Sequence, residues 1–134
     1  RIALYQMDCR WEDAAFNRAE AERWIASRRA DLFVLPEMFT TGFTMSPDRA
    51  AEPCEGETAS WLCRMARKTG SAVAGSVAVR CGGSDFRNRF FFFLPDGSLR
   101  KSEHCQARIT EISDHGVEGI RCTIVTEKDC YELS

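Results

Sequence analysis

The alternation of apolar and polar residues divides the first hundred positions into strands and amphipathic helices. The continuous apolar run at 32–35 predicts a strand that is buried on both faces of a sheet. Shorter apolar patterns predict three more strands, at 2–7, 71–79 and 88–94. A helical segment separates the first two strands, so we expect them to be parallel and joined by a right-handed crossover. The turn Pro95-Asp96-Gly97 predicts an antiparallel segment, which makes the α/β sheet mixed.

The first helix is predicted over residues 14–29, where apolar residues recur at helical spacing. Asp13 is expected to be its N-cap, because a short carboxylate side chain accepts the free N–H groups of a first turn. The pattern places Ala19 on the inner side of the helix and Arg18 on the outer side.

A second helix is predicted to begin at a Thr58 cap and to end at Gly70, a residue suited to the left-handed position after a helix. The segment 46–56 before it holds two of the four prolines and is expected to be a loop. In the strand at 71–79, Gly75-Ser76 is expected to allow a close backbone approach. The four phenylalanines at 90–93 are expected to be core on both faces of their strand.

Glu37 is the candidate for chemistry, because it directly follows Pro36 at the carboxyl end of the buried strand. Open α/β sheets place their ligands at that end of the strands. Since Pro36, Met38 and Phe39 flank it, we expect a partly desolvated carboxylate with a raised pKa, as a general base requires. The alternative is a strand-end glutamate that simply faces water.

The charge and the cysteine content of the chain indicate which kinds of partner and which cellular compartment to expect. A net charge of −2 and a pI near 5.7 predict no nucleic-acid binding and no attraction to an anionic membrane. No apolar run reaches the roughly 18 residues of a membrane span, and the amino end carries no signal-peptide pattern. The seven cysteines are scattered and include no C-x-x-C pair, which argues against a disulfide framework or a structural zinc site. We therefore expect a cytoplasmic protein with reduced thiols.

Both ends of the sequence lie in ordered-looking patterns. The chain starts at Arg1 inside an apolar alternation and stops at Ser134 directly after another such stretch. From these two features we expect a portion of a longer protein.

Residues 35–43, Leu-Pro-Glu-Met-Phe-Thr-Thr-Gly-Phe, resemble the first catalytic motif of the nitrilase superfamily of carbon–nitrogen hydrolases. With the continuation to Met45, the stretch is most similar to the omega-amidase branch, which hydrolyses 2-oxoglutaramate-type amides. Further stretches that resemble the family occur in the family's order along residues 1–100: 2–8 with Trp11 and Asn17, then Gly75-Ser76, then Asn88-Arg89 with 95–97. Residues 101–134 diverge from the family pattern.

The resemblance implies an α/β fold, the four-layer α-β-β-α sandwich of the nitrilase type, about twice as long as this chain. Residues 1–134 are accordingly expected to be a partial carbon–nitrogen hydrolase domain, incomplete at about half its length. It also implies a small-molecule amide substrate, a homo-oligomer when full length, and neither metal nor organic cofactor.

The family's Glu–Lys–Cys triad is carried over by position. Glu37 is the expected base, Lys101 the expected oxyanion lysine and Cys130 the expected nucleophile that forms a thioester. Lys101 stands one place before the family's lysine position, where this chain has Ser102. Cys130 opens Cys-Tyr-Glu-Leu, which is similar to the nucleophile motif Cys-Tyr-Asp-Leu, but the strand expected before it is missing from the pattern. A nucleophile beyond Ser134 therefore stays an alternative.

Other motif positions carry weaker expectations. Glu111 has the spacing of the family's second glutamate, with an exposed loop carboxylate as its alternative. Asn88 and Arg89 are expected to pack or to form hydrogen bonds rather than to do chemistry.

Three functional hypotheses remain at this point. The first is an amide hydrolase that acts on the carbon–nitrogen bonds of small omega-amides. The second is a catalytically inactive truncated remnant or partner-binding fragment of such an amidase, and we expect the 134-residue chain alone to be inactive or nearly so. The third is a nucleotide-binding module, which is disfavoured because no Gly-x-Gly-x-x-Gly or P-loop follows the first strand.

Overall fold

The computed structural model describes residues 1–100 with their side chains, and the strands 106–111, 121–125 and 130–133 as backbone. The chain divides into two compact units, Arg1–Lys101 and Ser102–Ser134. The elements of the first unit are, in chain order, β1 (Ile2–Leu4), α1 (Ala14–Ala26), β2 (Leu32–Val34), α2 (Pro47–Ala50), β3 (Glu52–Pro53), α3 (Glu57–Thr69), β4 (Ala72–Gly82) and β5 (Asp85–Phe93).

The first unit is built on one mixed five-stranded sheet. Strands β1, β2, β4 and β3 are parallel and follow one another in that order, while β5 pairs antiparallel with β4. Strand β5 pairs along the whole of one edge of β4. On the other edge of β4, β2 pairs with its first residues and β3 pairs with residues nearer its end. The predicted parallel crossover and the predicted mixed sheet are both confirmed. An antiparallel bridge between Phe93 and Leu99 confirms the turn-back at 95–97.

Both long helices cover one face of this sheet. The pleat of β4 turns alternate residues to opposite faces, and the larger ones point to the helices. The resulting core joins β2, β4 and β5 to α1 and α3; its largest members include Phe33, Val73, Val77, Val79, Phe91, Phe93, Ile25, Trp61, Leu62 and Met65. The opposite face of β4 carries the small residues Ala72, Ala74, Ser76 and Ala78, which are buried as well. We call this second surface the helix-free face.

Helix α1 begins as predicted, because the Asp13 carboxylate accepts a 3.0 Å hydrogen bond from the N–H of Phe16. The orientation predicted for Arg18 and Ala19 is wrong, since Arg18 is buried and Ala19 is exposed. The Arg18 guanidinium donates to Glu52 Oε1 at 3.1 Å and to Thr58 Oγ1 at 2.9 Å. An arginine is buried here because half-buried Glu52 on β3 and buried Thr58 on α3 accept its hydrogen bonds.

The segment predicted as a loop at 46–56 contains the short helix α2 and the short strand β3. The predicted Thr58 cap is also wrong, because α3 begins at Glu57 with Gly56 as its N-cap. The N–H of Thr58 instead donates to Glu52 Oε2 at 2.8 Å. At the other end the prediction is confirmed, since Gly70 adopts the left-handed conformation with φ +65°.

The second unit contains an antiparallel sheet in the order β6 (Gln106–Glu111), β7 (Arg121–Val125) and β8 (Cys130–Leu133). Within the part of the chain that is described, no helix is long and apolar enough to cross a membrane.

Candidate active site

Glu37 lies in the turn that follows β2. The chain leaves the strand with the N–H of Leu35 bonded to the carbonyl of Ala74 at 2.8 Å. It then turns tightly, because the N–H groups of Thr41 and Gly42 both donate to the Met38 carbonyl, at 3.1 and 2.8 Å. Glu37 is thus presented from a hydrogen-bonded turn rather than from a loose loop.

Met38 has a left-handed backbone conformation, with φ +49°. This conformation costs a residue with a Cβ roughly 1–2 kcal/mol and persists only where its surroundings hold it. Here the Met38 N–H donates to the buried Ser76 Oγ at 2.9 Å, and the side chains of Met38 and Phe39 are both buried. The contacts on either side of Glu37 therefore fix the direction in which its carboxylate leaves the turn.

Asn88 on β5 is the partner of the Glu37 carboxylate. Its side-chain amide donates to Glu37 Oε1 at 2.7 Å. In the register of β4 and β5, Ser76 lies opposite Phe90 and Ala78 opposite Asn88. Since directly opposed residues project from the same face of a sheet, Ser76 and Asn88 both belong to the helix-free face. The candidate carboxylate is therefore held on the side of the sheet away from α1 and α3.

The expected desolvation of Glu37 is wrong, because its side chain is exposed. The neighbours expected to cover it, Met38 and Phe39, turn into the core instead. Consecutive residues in this tight turn project in different directions, so apolar neighbours in sequence do not become neighbours in space. The exposed carboxylate has one oxygen engaged by Asn88, and it is open to a reacting group.

Asn17 on α1 forms a hydrogen bond with a residue at the end of the turn that carries Glu37. Its side-chain amide donates to the carbonyls of Arg10, at 2.7 Å, and Thr40, at 2.8 Å, while its Oδ1 accepts from the Arg10 N–H at 2.8 Å. The side chain is completely buried. The amide therefore fixes the segment after β1 against the segment after β2.

Gly75 permits the close packing predicted for the Gly75-Ser76 pair. A Cβ at this position would lie 3.1 Å from Leu35 Cβ and 3.2 Å from Phe39 Cδ1. A methyl group would thus press on Leu35 and Phe39, the core residues two positions before and after Glu37 in the sequence.

An open concavity of about 460 Å³ lies at the carboxyl ends of β1 and β2, beside Pro36; it is lined by Leu4, Tyr5, Gln6, Met7, Val34, Leu35 and Pro36. The nearby segments also present apolar side chains to solvent, namely Trp11, Phe43 and Met45. Among the described residues, no group of three His, Cys, Asp or Glu side chains could hold a metal ion.

The three predicted triad residues have different outcomes. Glu37 is described together with its surroundings, whereas Lys101 lies outside the described residues. Cys130 is the first residue of β8 in the second unit, where its backbone pairs with Val125. Glu111 ends β6 and pairs with Arg121. The catalytic roles of Lys101, Cys130 and Glu37 therefore remain predictions.

The positions around Glu37 were only partly recognised from sequence. Asn88 was expected to form hydrogen bonds and does so with the carboxylate itself. The contact of Ser76 with the Met38 backbone was missed. The signal that could have found it is the alternation along 71–79, where one polar residue interrupts a face of alanines.

Comparison with known proteins defines the class to which this fold and turn belong. The carbon-nitrogen hydrolase family model matches residues 1–118. The chain belongs to the carbon–nitrogen hydrolase family.

Two curated relatives are similar over much of the chain. Omega-amidase YafV of Yersinia enterocolitica is 36% identical over 100 residues, which cover 74% of this chain and 38% of the relative. The 2-oxoglutaramate amidase of Bacillus subtilis is 35% identical over 136 residues, covering 98% of this chain and 51% of the relative. The chain thus spans about half or less of the length of the curated relatives it matches.

Solved structures agree with the fold. XC1258 from Xanthomonas campestris, a CN-hydrolase superfamily protein with an arsenic adduct in its active site, aligns with a TM-score of 0.72 at 28% identity, over 98% of this chain and 51% of its own. An amidase from Nesterenkonia aligns with a TM-score of 0.65 at 21% identity, over 75% of this chain and 40% of its own, and shows the fold alone. Both likenesses identify the chain as part of a nitrilase-type α/β fold.

Proposed function

We propose that the protein hydrolyses the amide bond of small omega-amides of the 2-oxoglutaramate type and releases ammonia. The observation that carries the proposal is the Glu37 carboxylate, presented from a fixed turn at the carboxyl end of β2 and bonded to Asn88 at 2.7 Å. The names of the similar proteins, an omega-amidase and a 2-oxoglutaramate amidase, support the substrate class.

The proposed reaction uses Glu37 as base and then as acid. Glu37 takes the thiol proton of Cys130, and the thiolate attacks the amide carbon. The Lys101 ammonium stabilises the oxyanion of the tetrahedral intermediate. The protonated Glu37 then gives its proton to the departing nitrogen, so that ammonia leaves and a thioester remains.

Hydrolysis of the thioester completes the cycle. Glu37, ionised again, takes a proton from water as the water oxygen attacks the thioester carbon. Collapse of the second tetrahedral intermediate releases the carboxylic acid product, and the thiol recovers its proton from Glu37. No metal or organic cofactor is required for either half of this cycle.

Asn88 has a defined part in this proposal. Because its amide donates to Glu37 Oε1, the other carboxylate oxygen is left for proton transfer. A hydrogen bond to the ionised form also restrains the rotation of the carboxylate, and placement of the base is worth a large part of the rate. Asn88 is thus a positioning residue in the proposed mechanism.

The names of the similar proteins, both amidases, support a small-molecule amide substrate. The open concavity of about 460 Å³ ends at Pro36, the residue before Glu37, and Glu37 is not part of its lining. We further propose a homo-oligomeric protein in the cytoplasm that binds no nucleic acid; a net charge of −2 supports the last point.

The test is the release of ammonia from 2-oxoglutaramate by the complete gene product, followed by mass spectrometry after rapid acid quenching. We expect ammonia release and a thioester adduct on the peptide that contains Cys130. Ammonia release with the adduct on a cysteine beyond Ser134 would support the reaction but reject Cys130. Absence of both ammonia and adduct would contradict the amidase proposal and favour the inactive, partner-binding alternative.

A further inference from the structure

Two cysteines meet at the end of β4 that is remote from β2. Cys54 directly follows β3, Cys81 lies near the end of β4, and their sulfur atoms are 3.3 Å apart. Both are half-buried and pack against the main core. The other described cysteines, Cys9 and Cys63, have no recorded contact with a second thiol, and Cys63 donates to the carbonyl of Gly97 at 3.4 Å.

The register of the sheet produces this contact. Glu52 lies opposite Val79 and Pro53 opposite Arg80, so Cys54 and Cys81 are the next positions along the two parallel strands. Neighbouring strands are about 4.8 Å apart, which falls within the Cα separation of about 4.4–6.8 Å that a disulfide accepts. The sulfur atoms need to approach by little more than 1 Å to reach the bonding distance of about 2.0 Å.

A β-bulge makes that approach easier. The pairing of β4 with β5 shifts register between Arg80 and Gly82, so Cys81 has no residue directly opposite it on β5. A bulged residue can redirect its side chain without disturbing a regular ladder. Cys54 and Cys81 are one pair of free thiols that strand register brings together, not part of a disulfide framework.

We propose that Cys54 and Cys81 are a redox-active dithiol that closes to a disulfide by exchange with a low-molecular-weight disulfide of the glutathione class. The Cys81 thiolate attacks one sulfur of the small disulfide, which forms a mixed disulfide and expels one small thiol. Cys54 then loses its proton to solvent and attacks the Cys81 sulfur, which expels the second small thiol. In total, two protein thiols are oxidised and one small disulfide is reduced to two thiols.

Charge near the pair sets the order of these steps. A guanidinium nitrogen of Arg89 donates to the Cys81 sulfur at 3.7 Å, so a positive charge stands beside this sulfur during the exchange. Burial, together with the hydrogen bond to Cys81, raises the pKa of the Cys54 thiol. Cys81 is therefore the attacking thiol, and Cys54 is the resolving one.

The dithiol is separate from the proposed amidase site. Glu52 lies opposite Val79, a core residue on the helix side of the sheet. Cys54 and Cys81 are each two residues further along their strands, and because alternate strand residues share a face, they lie on that same side. Glu37 is held from the helix-free face. Closing the disulfide would tie the segment that leads into α3 to the end of β4, 27 residues along the chain. It would thus restrain the fold without blocking the carboxylate.

The experiment uses the complete gene product, fully reduced and then freed of reductant, in oxidised glutathione near neutral pH. Free thiols are counted in denaturant after an acid quench, and the linked peptides are identified by mass spectrometry. Digestion with trypsin alone leaves Cys54 and Cys63 in one peptide, but a second cleavage after glutamate separates 50–55 from 58–64. The peptide 81–87 carries Cys81.

We expect the number of free thiols among residues 1–134 to fall by two from seven, with one linkage between the Cys54 and Cys81 peptides that dithiothreitol reverses. Cys63→Ser, the matched control, should keep the linkage, whereas Cys54→Ser should stop at the mixed disulfide on Cys81. Arg89→Gln should slow the first step about tenfold, because it removes the charged hydrogen-bond donor beside the attacking sulfur. Linkages spread over several cysteines, or no link between Cys54 and Cys81, would overturn the proposal.

Discussion

The Asn88 side chain donates a 2.7 Å hydrogen bond to Glu37 Oε1 across 51 residues of sequence. It connects β5, the antiparallel strand of the sheet, to the turn after β2, a parallel strand. The hairpin of β4 and β5 therefore does more than extend the sheet, because it supplies the group that holds the candidate base. The arrangement makes β5 part of the proposed site.

Asn88→Ala should lower the ammonia-release kcat of the complete gene product about 10–100-fold, since a hydrogen bond to a charged group is worth about 1.5–3 kcal/mol. Asn88→Asp should act differently, because a second carboxylate beside Glu37 raises the pKa of one of the pair. We therefore expect the acid limb of the kcat/KM profile to move to higher pH in Asn88→Asp. A purely structural Asn88 would lower thermal stability in both variants and leave the pH profile in place.

Continuous patterns in the sequence predicted the sheet, the start of α1 and the end of α3, but not the end of α1 or the start of α3. The apolar run at 32–35, the cap at Asp13 and the left-handed Gly70 each depend on neighbours in sequence, and each is found. The placement of Arg18 was wrong, because its burial depends on Glu52, 34 residues away. Helix periodicity cannot reveal a partner on another element.

For the candidate site, too, the sequence predicted the features that depend on sequence neighbours and missed those that depend on distant residues. The position of Glu37 at the end of a buried strand follows from the run and Pro36, which are local features. Its exposure does not follow, because the turn sends Met38 and Phe39 into the core and the carboxylate out. The bond to Asn88 depends on the register of β5 against β4, which a single sequence does not determine.

Arg18 should be important for stability. Its side chain bonds Glu52 and Thr58 and pairs with Glu57 at 2.8 Å, so it links α1, β3 and α3. Arg18→Met leaves the half-buried Glu52 carboxylate without its counter-charge. Because this pair is only partly buried, we expect a loss of about 2 kcal/mol, between the values for surface pairs and for fully buried pairs. Urea denaturation of the complete gene product measures the loss of unfolding free energy.

Two further variants compare the Arg18–Glu52 ion pair with an ion pair on the protein surface. Arg23→Met, on the same helix, removes an exposed ion pair with Glu20 and should cost less than about 1 kcal/mol. Arg18→Met combined with Glu52→Gln should recover part of the loss, because no uncompensated charge remains. Equal losses for Arg18→Met and Arg23→Met would show that the buried network contributes nothing special.

Glu12 should make stability dependent on acid pH. The hydrogen bond from Thr44 Oγ1 at 2.5 Å, aided by Arg49 at 2.6 Å, holds the pKa of Glu12 below its ordinary value of 4.5. A lowered pKa in the folded state gives a stabilisation that is present above about pH 4.5 and is lost as the pH falls through the folded-state value.

Glu12→Gln should therefore lower the melting temperature at pH 7, and the difference from the parent should shrink toward pH 3. Glu55→Gln, at an exposed glutamate between β3 and α3, is the control and should track the parent at both pH values. A constant difference for Glu12→Gln across the pH range would mean that the charge of Glu12 is not what stabilises the segment.

The central claim is that Glu37 is the base of an amide hydrolase, and Glu37→Gln tests it most directly. The variant keeps the shape of the side chain and its acceptor for Asn88 but cannot take a proton. The measurement is kcat/KM for ammonia release from 2-oxoglutaramate by the complete gene product, with Glu55→Gln as the control and thermal melting as the check on folding. We expect Glu37→Gln to lose about 10²–10⁴-fold in rate, with an unchanged melting temperature and a fully active control. Turnover by a folded Glu37→Gln at the parent's rate would contradict the account.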